Sequence, residues 1–324
     1  MRATRTLVAA VAALMVSCTM PQEPAPLPPG CFAFGVFGDG PYRIWEGGRF
    51  RRVVKDVNRA DVTWFVHVGD IFWYPCSDEH YADQLAAMNA IRHPVVYTPG
   101  DNEWADCHEG IAGGYAPLER LERLRRTFYA DPAQSLGAAP MRVESQSADP
   151  AFAEFVENAR WTRGGFMCVT VHLVGSDNGL DDFPARTAAD DSAVVRRASA
   201  ATAWIEEAFA IARADSLHGV IIAMHAEPGF GRFGSPPGFG GFVLRLREMV
   251  ESFDGQVLVV HGDAHEYRVD HPLRRGDREV PVENFTRIGT FGSPDIGWVR
   301  VVVDSVNGEI VSAEPRLISR WWLW

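Results

Sequence analysis

At 324 residues with 47% hydrophobic side chains, the chain can bury a full core as one large domain or two small ones, and the spread of motifs along it favours one. The formal net charge is -11, which excludes nucleic acid as the main partner, because a phosphate-tracking surface needs concentrated Lys and Arg. Lys55 is the sole lysine, a bias of cation usage rather than a functional signal.

Residues 1–18 read as an export signal: Arg2 and Arg5 precede the apolar run Leu7 to Val16, too short for a membrane span, and Ser17-Cys18 follow. The ending Leu14-Met15-Val16-Ser17-Cys18 resembles a lipoprotein signal and implies lipidation of Cys18, with ordinary secretion as the alternative. The expected location is the periplasm, anchored to a membrane or free, or else outside the cell. Residues 19–30 are proline-rich and suit a stiff tether, leaving 31–324 as the expected folded domain. Export would place Cys31, Cys76, Cys107 and Cys168 in an oxidising compartment. Four cysteines allow three pairings. Cys76 with Cys107 is favoured, since each follows a motif aspartate by six residues. Cys31 with Cys168 is a candidate second bridge, and four free thiols is the alternative.

Beyond the tether, β-rich runs alternate with helical ones. Strands are expected at Cys31 to Phe37 and Val62 to Val68, with helices near Phe50 to Arg59, His80 to Ile91 and Pro117 to Tyr129. The turn at Arg163-Gly164-Gly165 predicts a hairpin of Asn158 to Thr162 with Phe166 to Val174. A long helix near Val194 to Arg213, a strand at Gly219 to Met224, a helix near Phe242 to Ser252 and a strand at Gln256 to His261 follow. The closing strands are Asn284 to Phe291, Val299 to Asp304 and Ile310 to Pro315. This order predicts an α/β fold, a four-layer α/β/β/α sandwich of two mixed β-sheets flanked by helices. Pro228 to Gly241 reads as a mobile loop, without the Gly-Lys-Ser of a nucleotide cradle.

Five polar clusters fall at the ends of expected strands: Gly38-Asp39-Gly40-Pro41, Gly69-Asp70-Ile71-Phe72, Gly100-Asp101-Asn102-Glu103, Met224-His225-Ala226-Glu227 and His261-Gly262-Asp263-Ala264-His265. Divalent cations that act on phosphate take oxygen and imidazole ligands, which carboxylates beside histidines supply. A single Gly-Asp after a strand is usually a turn, and a lone His usually satisfies a core hydrogen bond. Five such clusters in order carry the signal.

Their order resembles the calcineurin-like metallophosphoesterases, whose pattern runs Asp-x-His, Gly-Asp-x-x-Asp/Asn, Gly-Asn-His-Asp/Glu, a lone His, then Gly-His-x-His. The resemblance spans about residues 32 to 270 and implies one metal held by Asp39, Asp70 and His265. A second would be held by Asp70, Asp101, His225 and Asp263, with Asp70 bridging. It further implies one or two divalent ions and hydrolysis of a phosphate-ester substrate by a metal-activated hydroxide.

Departures from the pattern sharpen the expectation. Pro41 stands in place of a histidine, leaving Tyr42 or water to substitute, and Trp73 stands where purple acid phosphatases supply a tyrosine. Asp101 and Asp263 replace neutral ligands, so four aspartates face the metals and favour Mn, Mg or Ca, with Fe or Zn as alternatives. A tight second site and a weak first one are expected. Asn102 replaces the histidine that contacts phosphate and protonates the leaving group; His108 is the candidate substitute, and Glu103 is expected to orient Asn102 or a ligand. His67 and His172 read as structural, and Gly175 to Gly179 as a turn or a cleft wall. The tail Arg320 to Trp324 either packs on the domain or sits at a membrane interface. The competing function is a degenerate fold that binds a metal or phospho-ligand without turnover. No Gly-x-Ser-x-Gly elbow supports a serine hydrolase.

Overall fold

The computed structural model describes residues 26–231, 234–275 and 280–318. The expected export segment, Cys18 and the tryptophan-rich tail lie outside the described residues.

The first half runs β1 (Cys31–Phe37), α1 (Gly47–Val57), β2 (Phe65–His67), α2 (Asp78–Asn89), β3 (Val95–Tyr97), α3 (Pro117–Phe128), β4 (Glu144–Ser145), β5 (Ala159–Arg163) and β6 (Phe166–Thr170). Next come α4 (Gly175–Gly179), a single turn with left-handed central residues, then α5 (Ala188–Ala214), β7 (Gly219–Ala223), α6 (Pro237–Glu251) and β8 (Gln256–His261). The chain closes with β9 (Arg268–Asp270), β10 (Phe285–Gly289), β11 (Gly297–Asp304) and β12 (Glu309–Leu317). One sheet has the order β12-β11-β1-β2-β3 and the other β4-β5-β6-β7-β8-β10-β9.

Side-chain alternation sets the layers. In β1, Phe32, Phe34 and Val36 face the second sheet and pack with Phe166, Ile221, Leu258 and Ile288. Ala33 and Phe37 point the other way, toward Phe50, Val53 and Val57 of α1. On the far face of the second sheet, α5 and α6 cover Val169, Val220, Ile222 and Val259 with Trp204, Phe209, Phe242 and Leu246. The result is the expected sandwich of two mixed sheets flanked by helices.

Several expectations are corrected. Cys76 and Cys107 form a disulfide, but Cys31 and Cys168 are free. Pleat parity explains this: Cys31 packs on the α1 side of its sheet, whereas Cys168 lies between the sheets, so β1 itself separates them. The second hairpin strand ends at Thr170 rather than Val174. The glycine-rich segment is not loop throughout, because α6 starts at Pro237. Gly238 N donates to Asp177 Oδ1 at 2.8 Å and Gly238 O accepts from Asn178 Nδ2 at 3.1 Å, so a tertiary contact anchors that first turn.

Candidate metal centre

Strands β1, β2 and β3 run parallel, as do β6, β7, β8 and β10. Asp39, Asp70, Asp101, Ser176, His225, Asp263 and His265 all follow the carboxyl ends of these strands, at the edge where open α/β sheets place ligands. Short loops turn the chain sharply there: Asp39, Asp70, Asp263 and His265 have φ of 55°, 55°, 66° and 56°. Asp and His tolerate this left-handed region better than most residues, and such backbone strain concentrates at functional sites.

His225 is the hub. Its Nδ1 donates to Val68 O at 2.7 Å, which turns Nε2 toward Asp101 Oδ1 at 2.9 Å, Asp70 Oδ1 at 3.4 Å and Asp263 Oδ1 at 3.9 Å. Two groups of donors are tight enough to hold an ion: Asp39 with Asp70 and His225, and Asp101 with His225 and Asp263. The two groups share His225, and Asp70 Oδ1 lies on the same imidazole nitrogen as Asp101 Oδ1. His265 belongs to neither tight group. Its Nδ1 donates to Ser293 O at 2.7 Å, and its Nε2 lies 3.8 Å from Asp39 Oδ1 and 3.3 Å from the Tyr42 hydroxyl.

Around this cluster the backbone comes close. A methyl group on Gly100 would strike Asp70, one on Gly262 would strike Asp39, and one on Gly175 would strike Asp101. The Tyr42 hydroxyl donates to Asp70 Oδ2. Asn102 donates its side-chain amide to Asp70 Oδ2 at 2.7 Å and its backbone N–H to Oδ1 at 3.2 Å. Glu103 lies beneath: its Oε1 accepts from the N–H of Asp70 at 3.1 Å, the N–H of Gly100 at 2.7 Å and the Tyr97 hydroxyl at 2.7 Å. It therefore orders the loops that carry Asp70 and Asp101. His108 does not join them; its Nδ1 meets Ala105 O at 2.9 Å and its ring stacks on Phe183. His67 and His172 are buried, His67 accepting from the backbone N–H of Gly69 and His172 meeting Glu157.

Asp106 was not among the residues expected to serve the site, and Ser176 lies in the Gly175 to Gly179 segment that read as either a turn or a cleft wall. Ser176 Oγ lies 2.9 Å from both Asp101 Oδ2 and Asp106 Oδ1. One hydroxyl proton serves one carboxylate at a time, and burial together with the charge of Asp101 pushes Asp106 up to about 7. No motif marks Asp106, and the left-handed turn at α4 decides that Ser176 faces the site.

Electrostatics show what the cluster lacks. Burial, opposed by His225, pushes Asp39 up to about 8, and burial raises Asp70 well above the ordinary range. Burial also opposes the charge on His225, but Asp70, Asp101 and Asp263 outweigh it and hold that imidazole well above its usual value. Asp101 resists burial through the hydrogen bond and charge of His225, which hold it at about 2. Asp39 Oδ2 is buried without a hydrogen-bond partner. Crowded carboxylates, an orphaned oxygen and an imidazole locked for ligation fit divalent cations with oxygen-rich coordination.

A family model described as calcineurin-like phosphoesterase matches residues 44–267, and the chain belongs to that family. Membership supports metal-dependent phosphoester hydrolysis in general. The match begins after Asp39, past the motif in which Pro41 departs from the pattern. No curated protein matches the chain. Among solved structures, GAP50, "the anchor in the inner membrane complex of Plasmodium", is 11% identical with a TM-score of 0.47, covering 90% of each chain. TT1561 of Thermus thermophilus is also 11% identical with a TM-score of 0.47, covering 89% of this chain and 99% of its own.

Proposed function

We propose that this chain is an exported, metal-dependent hydrolase of a phosphate mono- or diester. The observation that carries the reading is the convergence of Asp39, Asp70, Asp101, His225 and Asp263 from five strand ends into two donor groups that share one imidazole. These residues would hold divalent cations, whose chemistry would be to activate water at neutral pH and to offset charge on the phosphoryl group. The chain's own groups do the rest. Val68 O keeps His225 Nε2 turned inward, Glu103 holds the Asp70 and Gly100 backbones in place, and Asn102 offers an amide at the centre. Export is supported by the apolar leader before Cys18 and by the Cys76–Cys107 bond, which suits an oxidising compartment.

The test is hydrolysis of a mono- and a bis-aryl phosphate with Mn, Mg, Ca or chelator. We expect metal-dependent turnover that falls more than about a hundredfold in Asp70→Asn, since even residues that only support ligands contribute about 10–100-fold. Tight ion binding with no turnover under any metal would instead establish a binding protein. In cells making the full chain, membrane fractionation that survives Cys18→Ser would refute lipid anchoring.

A further inference from the structure

Beside the carboxylate cluster lies a cavity of about 540 Å³ that the chemistry above does not use. Its walls come from the loop after β1, the loop after β2 and the start of α2. Tyr42, Trp45, Trp73 and Tyr74 provide ring faces, and Asp83 and Gln84 provide polar groups. The Tyr42 and Trp73 ring centroids are 6.1 Å apart, and those of Trp73 and Tyr74 are 5.2 Å apart. Arg43 sits over the Trp45 ring, 5.4 Å from its centroid.

Two features tie this cavity to a ligand. Trp45 is 68% exposed, Trp73 42% and Tyr74 38%, so large apolar faces stand in water although covering them would be favourable. Tyr42 lines the cavity while its hydroxyl donates to Asp70, so the cavity adjoins the centre across this one side chain. An ester whose phosphorus lay at the carboxylate cluster could reach these rings with its organic group by passing Tyr42. The volume falls within the roughly 300–1,000 Å³ of small-molecule sites. Flat aromatic faces select a flat partner by offset stacking, and a carboxylate and an amide suit the polar edge of a ring or its hydroxyls. An anionic lipid surface is disfavoured by Asp83, by the carboxylate cluster and by the net charge of -11.

We infer that this cavity is the subsite for a planar ring carried on the organic group of the substrate, a nucleobase or an aryl ring. The inference rests on the hydrolytic reading above. Adenosine 5'-monophosphate, 2-phenylethyl phosphate and glycerol 3-phosphate separate the possibilities, because all three release a primary alkoxide and differ in the ring. We expect KM for a ring-bearing ester to be about tenfold or more below that of glycerol 3-phosphate, matching the ~1–3 kcal/mol that stacking on an aromatic side chain contributes. Tight KM for the nucleotide alone identifies a nucleobase, and for both ring esters a general ring site. Trp73→Ala should collapse the ratio toward one, and Trp73→Phe should retain most of it. Trp73 is half-exposed, so truncating it opens no core. Calorimetric titration of Asp70→Asn with adenosine and with 2-phenylethanol reads the subsite without turnover. Ring binding that needs Trp73, in a protein that cleaves no ester, would retain the subsite and overturn the hydrolase reading. Equal KM for all three esters, unmoved by Trp73→Ala, overturns the subsite. Sedimentation with phosphatidylcholine vesicles that depends on Trp45 and Trp73, with equal KM values, overturns it in favour of a membrane surface.

Discussion

Asn102 holds its amide 2.7 Å from Asp70 Oδ2, and an amide donates hydrogen bonds without titrating. Protonation of the leaving group by a positioned acid contributes about 10²–10⁴-fold, and it matters most when the leaving alkoxide is a strong base. His108, the candidate substitute, stacks on Phe183 and bonds Ala105 O instead. Aryl phosphates should therefore turn over at least about a hundredfold faster than alkyl phosphates of similar size, and Asn102→His should narrow that gap by raising the alkyl rate. Equal rates on aryl and alkyl esters in the parent protein would contradict an absent acid. Residue identity at this position was readable from the motif alone. That His108 points away was not, because a four-residue 3-10 turn, Ala105–His108, sets its direction.

At the scale of elements, the cystine joins the loop after β2 to the loop after β3, and these loops carry Asp70 and Asp101. Closing 31 residues of sequence contributes about 3–4 kcal/mol by restricting the unfolded chain. The double variant Cys76→Ser with Cys107→Ser should lose about that much stability in urea titration and bind its metal more weakly. A loss below about 1 kcal/mol would show that packing of Phe72, Tyr81 and Trp104 holds these loops unaided. The pairing could be anticipated from the matching offsets after two strand-end aspartates. The absent second bridge depended on which face of β1 Cys31 occupies. The long helix shows the same division. Its apolar repeat was visible from Val194, but α5 starts at Ala188, where Thr187 and Asp190 close a capping box on a polar first turn. Strands β3, β4 and β9 have only two or three residues, too few for alternation to declare them.

Across the whole molecule, stability should follow pH through a buried network remote from the metal ligands. His172 meets Glu157 at 2.7 Å, and Arg125 completes the group. Burial, only partly offset by Glu157, lowers His172 to about 4. A folded-state value below the ordinary 6.5 means that the unfolded chain binds the proton first as pH falls. The stability from this neutral imidazole is then present above about 6.5 and lost between 6.5 and 4, at about 1.4 kcal/mol per pH unit. The stability difference between the parent and His172→Gln should thus shrink by about 2 kcal/mol from pH 6.5 to pH 5 in urea titrations with metal held saturating. A difference that stays constant over that range would show that His172 titrates alike in both states.

What the sequence determined by itself was the set of chemical types and their order: aspartates after β1, β2 and β3, a histidine after β7, and an aspartate and a histidine after β8. Those assignments hold because strand-end loops are short, so a residue two to four positions past a strand must lie at the sheet edge. The alternation of apolar runs likewise required two sheets and covering helices. Only the tertiary structure decided that His225 is shared by both donor groups and that Tyr42 reaches Asp70. It also decided that Ser176 joins Asp101 to Asp106, and that four indole and phenol rings open beside the centre. Each of these depends on left-handed turns and on the approach of loops far apart in the chain, and no periodicity in the sequence encodes either.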